Sequence, residues 1–175
     1  MAPNLFNLSA MSAAYSRLTV GVVMIRAVGR IFNVVGPGLD ERHLCAHLAR
    51  QFVELSACDK SISVGPLNST RDFIDVRDVA EALVLLLRIH ESASEGTFNL
   101  ASGDEQRTQR VYDFFSESVG VKPETVNRQQ TSKLDIDRAY ANVSRIRALG
   151  FEARFTLQES LVSLLNYYRH NKFTG

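Results

Sequence analysis

The amphipathic helices of this chain outnumber the strands that could support them. Apolar residues recur at helical spacing as Leu44, Leu48, Phe52 and Leu55, as Val76, Val79, Ala80, Leu83, Leu86 and Leu87, and as Val111, Phe114, Phe115 and Val119. A last stripe runs through Leu157, Leu161, Leu164, Leu165 and Tyr168, and Ser144–Leu149 reads as a shorter helix. Each long stripe needs an apolar surface to cover it. The strand signals are brief: Val20–Ile25, Ile31–Val35, Ile62–Val64, Thr97–Leu100 and Thr125–Asn127. The first two are continuous β-branched and apolar runs, the pattern of parallel strands buried on both faces. Strand and helix alternate, so the class is α/β. So few short strands cannot cover these helices, and the pattern predicts further sheet and core upstream of this sequence.

The punctuation is consistent with those elements. Gly36-Pro37-Gly38, Gly65-Pro66, Ser102-Gly103, Gly120 and Gly150 mark stops. Asp75 and Thr108 stand where they can cap helices, and Thr156 with Glu159 makes a capping box. No repeat, low-complexity tract or linker interrupts the chain, and 175 residues suffice for a sizeable core. A net charge of +1 predicts no general attraction to nucleic acid or to an anionic membrane. No apolar run approaches the ~20 residues that span a bilayer, and Met1–Ala14 lacks the basic start and apolar block of a signal peptide. Cys45 and Cys58 are too few for a disulfide framework and are expected as free thiols in the cytoplasm. His43, His47, His90 and His170 show no ligand spacing with carboxylates, so no metal site is expected.

Three segments in order carry a resemblance: Arg30-Ile-Phe-Asn-Val-Val-Gly-Pro-Gly38, Val64-Gly-Pro-Leu-Asn-Ser-Thr-Arg-Asp-Phe-Ile-Asp-Val-Arg-Asp-Val-Ala80 and Phe98-Asn-Leu-Ala-Ser-Gly103. They resemble the R-x-F-N-x-x-G-P-G, G-x-x-x-x-x-R-D-F-x-x-V-x-D-V-A and Y/F-N-x-x-S/A-G motifs of extended short-chain dehydrogenases, the NAD-dependent epimerase/dehydratase family. The tail, with Val143–Phe151, Thr156–Leu161 and Tyr167-Tyr168-Arg169, resembles that family's closing helices. Phe32–Gly38, Ala49-Arg50-Gln51 and Gly65–Asn68 before Arg71 are similar to GDP-mannose 4,6-dehydratases and GDP-4-keto-6-deoxymannose reductases. The resemblance implies the C-terminal part of a Rossmann-type fold. Residues 20–175 would form the last sheet strands and a small substrate-binding lobe, and residues 1–19 a remnant helix.

Two parts of the family pattern are absent. The dinucleotide-binding turn G-x-x-G-x-x-G, whose glycines let backbone approach a pyrophosphate, does not occur. Nor does the catalytic Y-x-x-x-K stand at its family place upstream of Asn33: Tyr15 is followed four residues later by Thr19. The resemblance implies NAD or NADP as cofactor, yet the N-terminal half that would bind it is absent. The isolated chain is therefore expected to show little or no turnover, and cofactor binding by it alone is not expected.

What remains is a set of candidate substrate-binding residues. Asn33 lies at the C-terminal end of a strand, the edge where open α/β sheets bind ligands. It could equally cap its own turn before Gly36. Arg71 offers a guanidinium suited to the pyrophosphate of a nucleotide-diphosphate sugar. The bland alternative is a salt bridge to Asp72, Asp75 or Asp78. Val64 and Asn68 belong to the loop that in the family lies beside the nucleotide base. The family's R-P-x-D aligns Asp135 with the acid but Ser132 with the arginine, leaving Lys133 or Arg128 as the replacement cation. Ile31 and Phe32 occupy positions that in the family edge the nicotinamide, so they are the candidate cofactor contacts. Asp75, Arg77 and Asp78 open a helix and read as structural. The partners expected are a nucleotide-diphosphate sugar and either a second copy of the chain or a separately encoded N-terminal half. A binding or interaction module without catalysis is the competing reading.

Overall fold

The computed structural model describes residues 27–55, 61–88, 96–127 and 137–171. Eight short strands and five helices follow in order: β1 (Ala27–Ile31), β2 (Asn33–Val35), α1 (Leu44–Glu54), β3 (Ser61–Val64), β4 (Thr70–Asp75) and α2 (Val76–Leu87). Then come β5 (Gly96–Leu100), β6 (Glu105–Arg107), α3 (Gln109–Val119), β7 (Glu124–Asn127), β8 (Arg138–Ala139), α4 (Ser144–Arg147) and α5 (Leu157–Asn171). The fold is α/β with mostly parallel pairing: β1 with β5, β2 with β4, β3 with β7 and β8 with β4. Only β6 runs antiparallel, against β4.

The expected strand Ile31–Val35 is the end of a longer one that begins at Ala27 and breaks at Phe32. The break is a change of partner: β1 lies along β5, ending at Leu100, while β2 lies along β4, starting at Phe73. The run Val20–Ile25, the stretch 1–19, Cys58 and His90 lie outside the described residues. Two strands had no apolar signature in the sequence. β6 is Glu-Gln-Arg and β8 is Arg-Ala, and both form by pairing with the N-terminal half of β4.

Most helix boundaries follow local chemistry. Asp75 caps α2 by accepting from the Arg77 N–H at 2.8 Å. The capping box opens α5: Glu159 Oε2 accepts from the Thr156 N–H at 2.8 Å, and Thr156 Oγ1 from the Glu159 N–H at 3.2 Å. Gly120 ends α3 in the left-handed region, φ 72°, where a side chain would be strained. Thr108 does not cap α3 as expected. Its hydroxyl donates instead to the Ser69 carbonyl at 3.1 Å, tying the helix start to the loop before β4.

Two cores form, and β4 is the wall between them. Phe73 belongs to the first, with Leu48, Phe52, Val64, Phe115 and Leu164. Ile74 belongs to the second, with Val79, Phe98, Leu100, Ile146 and Phe151. Asp72, fully buried on the same strand, fixes the second side. Its carboxylate accepts from the Ser102 N–H at 2.9 Å, the Ser102 hydroxyl at 2.7 Å, the Gly103 N–H at 3.0 Å and the Ala141 N–H at 3.4 Å. Gly103 is required there. Its φ is 75°, and a Cβ would lie 2.7 Å from Val143 Cγ2 and Arg147 Nη2.

The helix face expected from Val76, Val79, Ala80, Leu83, Leu86 and Leu87 is only partly covered. Val79 is buried, but Leu83 is 41 % and Leu87 85 % exposed. No helix among the described residues is long and apolar enough to cross a membrane.

Replacing Asp72 by Asn leaves one acceptor oxygen for three backbone N–H groups. Losing charge-assisted bonds at a buried site is expected to cost roughly 2–3 kcal/mol, measurable as a lower midpoint in urea with an unchanged slope.

Candidate functional site

A cavity of about 640 Å³ opens between the start of β2, the start of α1, the β3–β4 loop and β4. Asn33, His43, His47, Asn68 and Arg71 all line it, with Phe73 in its wall. Asn33 and Arg71, argued separately from sequence, thus meet at one hollow.

Alternation along β4 explains how Arg71 arrives there. Asp72 and Ile74 face the second core, so Arg71 and Phe73 face the cavity and the first core. Arg71 is half-buried, and its Nη1 donates to the Thr70 carbonyl at 2.8 Å and, more loosely, to that of Asp137 at 3.5 Å. Each of the three carboxylates that could have paired with it is engaged elsewhere. Asp72 holds the N–H groups named above. Asp75 takes Arg77 and the Ser160 hydroxyl, the latter at 2.6 Å. Asp78 accepts from the N–H groups of Arg154 at 3.1 Å and Phe155 at 3.1 Å. Among the described residues, Arg71 makes no ion pair.

Asp75, Arg77 and Asp78 therefore fasten α2 to the segment leading into α5. The Arg77 guanidinium lies 3.4 Å over the Phe155 ring, which strengthens the fastening. Burial works against the Asp75 carboxylate, but the bonds from Arg77 and Ser160 outweigh it and hold its pKa below the ordinary value.

Asn33 does not cap its own turn. Its Nδ2 donates to the Asp72 carbonyl at 3.0 Å, bracing β2 against β4, and its Oδ1 stays available to accept. Asn68 is exposed on the β3–β4 loop at the cavity rim. Val64 is 1 % exposed and packs in the first core, so only its backbone could meet a ligand. Ile31 is 45 % exposed on β1, and Phe32 packs against the second core; neither lines the cavity. Lys133 and Asp135 lie outside the described residues, as do Ser132 and Arg128.

The sequence reading passed over His43 and His47 as wall residues. Their four-residue spacing on one helix face was the available signal. His47 Nε2 sits 3.2 Å from the Ser63 carbonyl, which also accepts from Gln51 Nε2 at 2.8 Å. Gln51 Oε1 in turn accepts from the Ser63 N–H at 2.8 Å. The Gln51 amide so imitates a neighbouring strand on the edge of β3 and steadies the loop from Gly65 to Asn68. Cys45 also lines the cavity, but burial pushes its thiol up to about 12, so it offers no nucleophile. No cluster of metal-ligating side chains occurs among the described residues.

The profile of the NAD dependent epimerase/dehydratase family matches residues 10–101. The chain belongs to that family. It is 27 % identical over 143 residues to GDP-6-deoxy-D-mannose reductase from Pseudomonas aeruginosa, covering 79 % of this chain and 46 % of that protein. The structure of RMD from Pseudomonas aeruginosa complexed with NADPH superposes with a TM-score of 0.72 at 28 % identity, over 83 % of this chain and 48 % of that one. A UDP-glucose 4-epimerase from Thermotoga maritima, solved with UDP-glucose, shares the fold with a TM-score of 0.71 at 21 % identity, over 93 % of this chain and 51 % of that one. The chain thus spans about half the length of these family members.

The Gly36 turn does not offer the open backbone of the family's dinucleotide cradle. The glycine turn after β2 serves packing: a Cβ on Gly36 would lie 2.5 Å from Val76 Cγ1, so this glycine admits a helix side chain rather than a pyrophosphate.

Beside the cavity, Glu105 accepts from Arg138 at 2.7 and 2.8 Å and from the Thr70 hydroxyl at 2.5 Å. These bonds, Arg138 first, pull its carboxyl down to about 2. A depressed carboxylate stabilises the fold above its unfolded value, near 4.5, and loses that contribution as pH falls toward 2. Glu105→Gln is expected to flatten the pH dependence of unfolding in that window, read by denaturant titration at stepped pH.

Proposed function

We propose that this chain is the substrate-binding portion of an NAD(P)-dependent nucleotide-sugar epimerase, dehydratase or reductase, and that its cavity takes the nucleotide diphosphate. The observation that carries this reading is the Arg71 guanidinium, without an ionic partner among the described residues and facing a hollow shared with Asn33 and Asn68. A guanidinium can clasp two phosphate oxygens at once. The Asn33 Oδ1 can accept from a sugar hydroxyl, and the polar rim with an apolar floor at Phe73 suits a ligand with both a charged and a flat part. Lys133 and Asp135 would complete the site from the 128–136 segment, the lysine as a point charge in place of the family's arginine. Backbone at Val64 and the side chain of Asn68 would border the base.

The chain by itself does not turn over substrate on this reading. In the family, hydride moves between cofactor and sugar carbon, with the tyrosine of Y-x-x-x-K as acid and base. The glycine turn is not in this sequence and the pair is not at its family place upstream of Asn33, so Ile31 and Phe32 would meet a nicotinamide only when another polypeptide segment carries it. A nucleotide-sugar-binding module without catalysis is the second reading. It is favoured by Ser132 standing where the family has arginine.

Calorimetric titration with GDP-, UDP- and dTDP-sugars tests the site. One of them is expected to bind saturably, and Arg71→Ala to weaken it by roughly tenfold to a hundredfold, the worth of a charge-assisted bond. No binding by any, or equal binding by the variant, would sink the reading.

A further inference from the structure

The loop from Gly36 to His43 is a wall with a hollow on each side. Leu39 and Glu41 line the cavity of the candidate site, and the same two residues line a second hollow of about 360 Å³, whose far wall is Arg50, Val53, Tyr167 and Tyr168. The backbone bonds within the loop are short-range. The Leu39 N–H donates to the Gly36 carbonyl at 3.3 Å, the His43 N–H to that of Asp40 at 3.0 Å, and the Arg42 N–H to the Asp40 carboxylate at 2.8 Å. Gly38 turns the loop at φ 81°, and among the described residues nothing lies within 4 Å of where its Cβ would stand. Leu39 packs its side chain against the first core. A segment this thin otherwise gains little from packing, so polar bonds to the helices behind it decide where it rests.

Two side chains supply such bonds. Tyr168, near the end of α5 and 129 residues along the chain, donates its hydroxyl proton to the Leu39 carbonyl at 2.8 Å. Arg50 of α1 pairs with Glu41, and also with Glu54 at 2.8 Å. The Arg50–Glu41 pair is half in water and therefore weak, which leaves the tyrosine as the stronger anchor. The Tyr168 ring is itself held: it packs against the first core and meets Tyr167 edge-on, with centroids 5.5 Å apart. Burial first, and then the Glu41 charge, push the pKa of its hydroxyl up, so the proton it donates stays in place. Arg42 and His43, next along the loop, line the cavity with Arg71.

We infer that Tyr168 is a positioning residue for the candidate site: by holding the Leu39 carbonyl it keeps the loop in the shape that presents Glu41, Arg42 and His43 to the ligand. The inference rests on the cavity being the nucleotide-sugar site. Binding to a wall already in place avoids the entropy cost of ordering it. Affinity, and not stability alone, therefore depends on a hydroxyl of α5 that does not line the cavity.

Tyr168→Phe keeps the ring and removes the bond. Two readings are taken on the full chain: calorimetric affinity for whichever of the GDP-, UDP- and dTDP-sugars binds the parent, and amide exchange of residues 39–43 without ligand. The variant is expected to exchange faster at 39–43 and to bind about twofold to tenfold more weakly, the worth of one hydrogen bond. Saturating ligand is expected to return its exchange to the parent's rate. Tyr167→Phe, which strips a hydroxyl from the same hollow, is expected to change neither reading. Unchanged affinity in Tyr168→Phe, even with a lower midpoint in urea, would reduce the bond to ordinary structure and overturn the inference. Equal effects of the two variants, or unchanged exchange at 39–43, would do the same. A parent that binds none of the sugars strikes the function reading instead, and the exchange result alone then decides whether the hydroxyl holds the loop.

Discussion

The rest of the structure depends on a carboxylate with no cation beside it. Asp72 is fully buried and satisfied by N–H groups and a hydroxyl from two distant segments, around Ser102–Gly103 and at Ala141. A charge so placed is tolerable only when every bond is made, so the carboxylate specifies where the turn after β5 and the strand before α4 must sit. Because side chains alternate along β4, fixing position 72 on one side also fixes position 71 on the other. The orientation of the candidate anion-binding arginine is thus a by-product of a structural requirement one residue away.

The same strand divides the molecule energetically. Phe73 looks into a core that three helices close, and Ile74 into one that two strands and α2 leave half covered. The cavity is walled mainly by elements of the first core, and by Asn33 and Val34 of β2, where Val34 also packs against the second.

How much of this was legible in the sequence follows from what each residue reports. Stripes of leucine and phenylalanine at helical spacing located α1, α3 and α5, and the Thr156–Glu159 box located a helix start, because these signals are local. The excess of helix over strand predicted further sheet upstream, and among the described residues α2 leaves Leu83 and Leu87 exposed. β6 and β8 were not legible, since Glu-Gln-Arg and Arg-Ala pair with β4 for reasons of position and carry no pattern of their own. Thr108 misled because a threonine before a helix can bond backward to a loop as readily as forward to the helix. Asn33 and Arg71 could be named from the motif, but whether they shared a hollow depended on long-range pairing of β2 with β4. Lys133 and Asp135 fall where nothing is described.

The acidic residues around Arg71 show why proximity in sequence is a poor guide to pairing. Asp72, Asp75 and Asp78 follow it within seven positions, and Glu105 lies across the β4–β6 pair. A reader of the sequence alone would neutralise the arginine with any of them. In the fold each acid answers a donor that the architecture leaves unpaired: turn N–H groups for Asp72, a helix start for Asp75, the chain entering α5 for Asp78, and Arg138 for Glu105. Backbone donors cannot be moved or omitted, so they claim the carboxylates first. Among the described residues the Arg71 guanidinium faces the cavity without an ion pair, because Asp72, Asp75, Asp78 and Glu105 each answer another donor.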